Sequence, residues 1–245
     1  MKKTMLMLVG GALLLATPAC KKGANDPALS LKSRKGRLAG EYNITKWENN
    51  STSVNGNNTA TYSATFDGST LIEKQTSGGT TITTTTPVSV ATYTFMKDGT
   101  WSREWTDITT TETDYGAFVD TDVTNSNTKE SGTWAFIGKT KGQSKNKERI
   151  QLSILKEETT TKTETTSKDL QGNVIGTSNS ENSNAYTYSY LEIIEAYDID
   201  MLKNKEMVFK LVADYTGSLS TTSGNTTTTQ TYSWTGESIM TLTQK

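Results

Sequence analysis

Three carboxylate pairs stand at spacings that general acid–base chemistry could use: Glu157 with Glu158, Asp120 with Asp122, and Asp198 with Asp200. Each pair also reads as a turn or a solvated strand face. The chain of 245 residues contains no histidine, which excludes His-based triads and His-ligated metal sites. No glycine-rich phosphate loop occurs. Asp120-Thr121-Asp122 lacks the glycine and the distal glutamate of a calcium loop. The expectation is a protein that is not an enzyme and holds no cofactor and no metal.

The aromatic residues are the better candidates. Tyr42, Trp47, Tyr93, Trp101, Trp105, Trp134 and Trp234 all fall in segments that read as strands. Alternation puts Trp101, Arg103 and Trp105 on one face of one strand. An apolar cavity with one convergent polar group is the usual plan of a small-molecule site. The candidate ligand-binding set is therefore Trp101, Arg103, Trp105, Trp134, Tyr93 and Tyr42. The alternative is that these rings fill a core and Arg103 stacks on an indole. If the Arg103 face points inward, burial demands a carboxylate partner, from the protein or from a ligand.

The one cysteine carries a different chemistry. Lys2 and Lys3 precede twelve apolar residues, Met5 to Ala16, and small residues then lead to Cys20. This is the three-part plan of a secretory signal. As a helix the apolar run rises about 18 Å, too short for a hydrocarbon core of about 30 Å. An exported chain with a single cysteine has no partner for an internal disulfide. An ordinary signal with a chance cysteine is one reading; Leu15 to Cys20 is similar to a lipobox, which implies lipid modification of Cys20, with about 0.8 kcal/mol of membrane anchoring for each buried acyl CH₂. Residues 1–19 would then be a signal peptide and 20–37 a basic tether. Lys32, Arg34, Lys35 and Arg37 in that tether could meet lipid phosphates.

Composition fixes the fold class. The whole chain has 25 basic and 26 acidic residues, a formal charge of −1. That balance excludes a typical nucleic-acid binder. Lys139, Lys141, Lys145, Lys147 and Arg149 form a basic loop that could draw polyanions or simply be a hairpin tip. Threonine occurs 47 times, and its β-branched side chain suits a half-wet pleated sheet. Turn chemistry recurs at Asp67-Gly68, Ser77-Gly78-Gly79, Lys97-Asp98-Gly99, Asp114-Tyr115-Gly116, Gly172-Asn173 and Ser223-Gly224-Asn225. Between the breaks, ten strands are expected at 39–47, 58–66, 69–76, 80–96, 100–113, 118–137, 148–168, 174–197, 207–222 and 226–244. Only Asp198 to Asn204 suggests a helical turn. The class is all-β: an antiparallel up-and-down meander of about 8–10 strands in residues 38–245. Closure into a barrel would remove the exposed edges.

The segment Gly40-Glu41-Tyr42 resembles the Gly-x-aromatic opening strand of bacterial lipocalin-like lipoproteins. Lys97-Asp98-Gly99-Thr100-Trp101 and Gly132-Thr133-Trp134 are similar to a hairpin and a later strand of that family. Leu15 to Cys20 resembles a bacterial lipobox. The resemblance implies a closed or partly open lipocalin-like barrel with a central cleft, held by lipid (palmitate or similar) at the outer membrane, periplasmic or surface-facing. A small apolar ligand is the partner it implies. The Thr-rich stretches at 80–86, 109–111, 159–166 and 226–229 depart from the family pattern. They read as strand extensions beyond the barrel, able to contact a glycan or a protein.

Overall fold

The computed structural model describes residues 33–55, 58–137, 148–203, 205–223 and 226–245. Cys20, the apolar run before it and most of the tether lie outside these residues, as do the lysines of the 138–147 loop. A short helix, α1 (Arg34–Leu38), leads into eleven strands. They are β1 (Gly40–Asn55), β2 (Asn58–Phe66), β3 (Thr70–Ser77), β4 (Thr80–Phe95), β5 (Thr100–Asp114), β6 (Phe118–Ile137), β7 (Glu148–Asp169), β8 (Val174–Thr187), β9 (Ile193–Leu202), β10 (Glu206–Ser223) and β11 (Thr226–Gln244).

Every pairing is antiparallel, and each strand lies beside its neighbour in sequence up to β7. β8 and β9 together flank β7: β8 pairs with Lys156–Lys168 and β9 with Glu148–Ile154. They act as one long strand interrupted at 188–192. There Leu191 takes a left-handed backbone (φ 65°). Its N–H donates to Ser153 Oγ at 3.0 Å. β10 pairs with β9 and β11, and β11 pairs along β1, which closes the meander into a barrel. At the base β1 also bonds directly to β4, Gly40–Asn43 against Thr92–Phe95, so eight strands suffice to close that end. The β2–β3 hairpin is inserted between them higher up. The ten-stranded meander expected from turn spacing is therefore present, with one strand broken in two.

The helical turn expected over Asp198–Asn204 is not helical where described. Asp198–Leu202 continues β9, because Tyr197, Ile199 and Leu202 bury one face against the core while Arg149 of β7 pairs with Asp198 at 3.0 Å. Conversely, the chain already folds before Leu38. Ser33 caps α1 by accepting from Gly36 N–H at 3.0 Å. Arg37 Nη1 donates to the Leu202 carbonyl at 2.8 Å, and Leu38 is fully buried. Lys35 lies 5.6 Å over the Trp134 ring. The helix thus seats under the barrel base.

The lower half of the barrel is filled. Phe95 meets Tyr93 (5.6 Å, stacked), Trp134 (6.3 Å, edge) and Phe209 (6.0 Å, edge), and Phe209 stacks on Tyr197 at 5.6 Å. Each such ring removes roughly 150–250 Å² from water, on the order of 4–6 kcal/mol before entropy is counted. The upper half is polar and is held by cross-strand hydroxyls. Thr124 meets Thr163 at 3.1 Å, Thr128 meets Thr159 at 3.3 Å, and Thr76 meets Thr81 at 2.8 Å. Such pairs contribute about 0.2–1 kcal/mol each. The Thr-rich stretches are the upper parts of β4, β5 and β7 and the start of β11.

Besides the Asp114 turn, where the carboxylate accepts from Gly116 N–H at 2.7 Å, three turns are pinned by aspartates whose carboxylates accept local N–H groups. Asp67 accepts from Ser69 and Thr70, Asp98 from Thr100, and Asp169 from Asn173 and Gln171. These bonds hold all three carboxyls below their ordinary range. In the Lys97-Asp98-Gly99 turn, Gly99 adopts φ +100°, which side chains other than glycine rarely take. A depressed folded pKa contributes stability above the unfolded value of about 3.9, and the contribution is lost as pH falls through the folded value. The urea midpoint is expected to fall between pH 5 and pH 3, and to fall less in Asp98→Ala, whose starting stability is lower. An unchanged pH dependence in that variant would show that the turn carboxylate is not linked to folding.

Candidate functional site

The Arg103 side chain points inward. β5 places Trp101 and Arg103 on the core face, with Arg103 opposite Tyr93 of β4 and Glu130 of β6. Its guanidinium bonds Glu130 through Nε, Tyr93 Oη through Nη1 at 2.6 Å, and Glu195 of β9 at 3.2 and 3.3 Å. The Tyr93 and Trp101 rings flank it at 5.5 and 5.9 Å. Tyr197 donates to Glu195 at 2.9 Å. Burial alone would weaken the cation, but Tyr93, Glu195 and Glu130 override it and hold Arg103 well above its ordinary pKa. Burial also pushes the Tyr93 and Tyr197 hydroxyls up. The carboxylate that an inward Arg103 requires thus comes from the protein itself, twice over.

The other sequence-selected residues divide by depth. Tyr42, Tyr93, Trp101 and Trp134 are core residues. Tyr42 donates to the Arg37 carbonyl at 2.7 Å, and burial raises its hydroxyl to about 12. Trp134 Nε1 donates to the Met96 carbonyl at 3.1 Å and Trp101 Nε1 to the Ser153 carbonyl at 3.3 Å. Trp105 sits higher, at the upper margin of the core, against Phe66 (5.0 Å) and Trp47 (6.5 Å). Its indole donates to Asp107 at 3.3 Å, and burial raises the Asp107 pKa. Trp47, Trp101, Trp105 and Trp134 belong to one packed assembly, with Arg103 between Trp101 and Trp105 along β5; Trp234 lies partly exposed above it, on β11.

The carboxylate pairs have partners of their own. Asp120 accepts from Ser167 at 2.5 Å and Asp122 from Thr165 at 2.6 Å, both across the β6–β7 ladder. Glu157 accepts from Tyr188 at 3.1 Å, while Glu158 pairs with Lys156 on the opposite face at 2.7 Å.

A groove on the outer surface has no counterpart among those candidates. It measures about 570 Å³ and crosses β4, β3, β2, β1, β11 and β10 in the upper half. Trp47, Phe66 and Leu71 face the core, so alternation turns Asn50, Thr52, Thr61, Ser63, Lys74, Thr76 and Thr81 outward, and these line the groove with Thr235 and Val212. The wall is hydroxyl and amide, and Lys74 is its one charged residue. Its signal in sequence is the run from Thr59 to Phe66. There Thr59, Thr61, Ser63 and Thr65 alternate with Ala60, Tyr62, Ala64 and Phe66. On the inner side Tyr62 donates to Glu73 at 2.5 Å, which fixes the strand that carries Thr61 and Ser63. Burial, and then Glu73, raise the Tyr62 pKa.

Comparison with family models, with curated proteins and with solved structures finds no match.

Proposed function

We propose that this protein is a lipid-anchored envelope lipoprotein whose barrel is a rigid pedestal and whose outer hydroxyl groove binds a glycan. One observation carries the reading. The lower barrel is occupied by stacked rings and an internally paired Arg103, while a polar concavity of about 570 Å³ lies outside on β1–β4, β10 and β11. Threonine, serine and asparagine side chains offer donors and acceptors without fixed charge, which suits a neutral hydroxyl-rich chain. Uptake of a small apolar ligand, as in lipocalin-like proteins, would need room among Trp101, Trp105 and Trp134. Tyr93 stacks on Trp101 at 5.9 Å there, and Trp134 meets Phe136 at 5.5 Å.

The test is titration with chitohexaose, a soluble β-1,4-linked hexamer of N-acetylglucosamine, against wild type and a Thr61→Ala/Thr76→Ala/Thr81→Ala variant. Three hydroxyl hydrogen bonds at about 0.5–1.5 kcal/mol each predict a loss of affinity of at least about tenfold. Equal affinity in the two proteins, or saturable binding of a fatty acid with a tryptophan fluorescence change, would overturn the groove. The anchor is tested separately. Cys20→Ser is expected to leave the membrane pellet on fractionation, and full retention would refute lipidation at that position.

A further inference from the structure

We infer that the base of the barrel is a membrane-docking face, seated flat on the phosphates of an anionic phospholipid leaflet. The inference rests on the lipid-anchor reading, which brings the membrane to this end. Cys20 and Ser33 are thirteen positions apart, a reach of at most about 47 Å. The chain then enters at the base, where α1 packs: Arg37 bonds the Leu202 carbonyl at the end of β9, and Lys35 lies over Trp134 of β6. The upper ends stand far from this point, since β6 alone runs 20 residues, about 65 Å along the strand.

Charge identifies the occupant. Around the base the strands run β1, β4, β5, β6, β7, β9, β10, β11. The β4–β5 turn and the β9–β10 turn therefore lie on opposite sides of the ring, and α1 lies beneath it, so the three together define a plane. They carry Arg34, Lys35, Arg37, Lys97, Lys203 and Lys205 against one carboxylate, Asp98, which its own turn binds through Thr100. Lys97, Lys203 and Lys205 are exposed and have no carboxylate partner among the described residues. Glu41 and Glu206 stand beside this plane on strands, and Lys245 pairs with Glu41. Met96, next to Lys97, is 52% exposed, and its carbonyl is fixed by Trp134 Nε1. An apolar side chain flanked by a cation suits the headgroup boundary. The far end has the opposite sign: four carboxylates in 108–125 and three in 159–187 stand against Lys162 and Lys168. An anionic surface thus draws the base and repels the upper ends.

The test is lipid titration of the full chain bearing Cys20→Ser, using vesicles of phosphatidylcholine alone or of equal parts phosphatidylcholine and phosphatidylglycerol. The apolar run Met5 to Ala16 is common to every variant, so the readout is the change in preference for the anionic vesicle. Lys97→Gln/Lys203→Gln/Lys205→Gln should lower that preference about hundredfold, at about 1 kcal/mol per lysine near an anionic surface. Lys156→Gln/Lys162→Gln/Lys168→Gln removes the same charge from exposed positions of β7, farther from the base than salt lets a charge act, and should leave the preference within about threefold. Far-UV circular dichroism checks that both variants keep the fold. Lipid on Cys20 plays no part in this readout, so its outcome stands apart from that of the fractionation experiment. No preference for the anionic vesicle, a preference untouched in the base variant, or equal losses in the two variants would each overturn the docking face.

Discussion

Arg103→Ala is expected to destabilise the barrel by about 3 kcal/mol, the low end of the range for breaking a buried ion pair. The low end applies because the Arg103 side chain keeps 21% of its surface accessible. Its removal strands Glu130 and Glu195 against the Tyr93–Trp101 wall with no counter-charge. Most of the cost is therefore the desolvation of two carboxylates. Arg103→Met combined with Glu130→Gln and Glu195→Gln should recover much of it, since an apolar replacement of a whole buried charge group is often neutral. Urea unfolding followed by tryptophan fluorescence measures both proteins. An Arg103→Ala midpoint equal to wild type would mean that the network contributes nothing to the fold.

Gly132→Ala is expected to be at least as damaging, at about 3 kcal/mol or more. A Cβ at Gly132 would fall 1.8 Å from the Ser153 carbonyl oxygen and 3.1 Å from Leu155 N. Both are backbone atoms of β7, so no side chain can rotate away. The β6–β7 ladder already shifts register at this point, between Ser131 and Gly132. Relief requires the two strands to part where Trp134 and Ile154 are packed. Overpacking typically costs about 1–3 kcal/mol when side chains can adjust, and here they cannot. Poor expression or a midpoint lowered by several degrees is the expected result. A variant as stable as wild type would show that the strands do not approach this closely.

Much of the architecture was legible because period-two patterning and turn residues are local signals. The Thr59–Phe66 alternation, the Lys97-Asp98-Gly99 turn and the alternating Ile150, Leu152 and Ile154 all fix strands without reference to the rest of the chain. The break at 188–192 was not legible. Tyr188 to Glu192 keeps strand-like composition, and the interruption comes from Tyr188 N–H bonding the Leu155 carbonyl while Leu191 turns to Ser153. Asp198–Leu202 was misleading for a related reason. Its charges suggest a turn, but Asp198 is paired across the ladder by Arg149. The sequence marked Arg103 as needing a carboxylate, yet nothing local points to Glu195. That residue lies 92 positions away and reaches Arg103 only through the curvature of the barrel. The outer groove was half legible: its residues could be placed on one face of each strand, but concavity arises from how six strands coil together.

Amide chemical-shift mapping with chitohexaose tests most directly whether recognition lies outside the barrel and not within it. The shifts are expected to concentrate at Asn50–Thr52, Thr61–Ser63, Lys74–Thr76 and Thr235–Gly236, the backbone of the groove. The indole signals of Trp101 and Trp134 should stay fixed, because both rings are closed into the core. Shifts at those two indoles with none at Thr61 and Thr76 would contradict the account and return the binding site to the barrel interior.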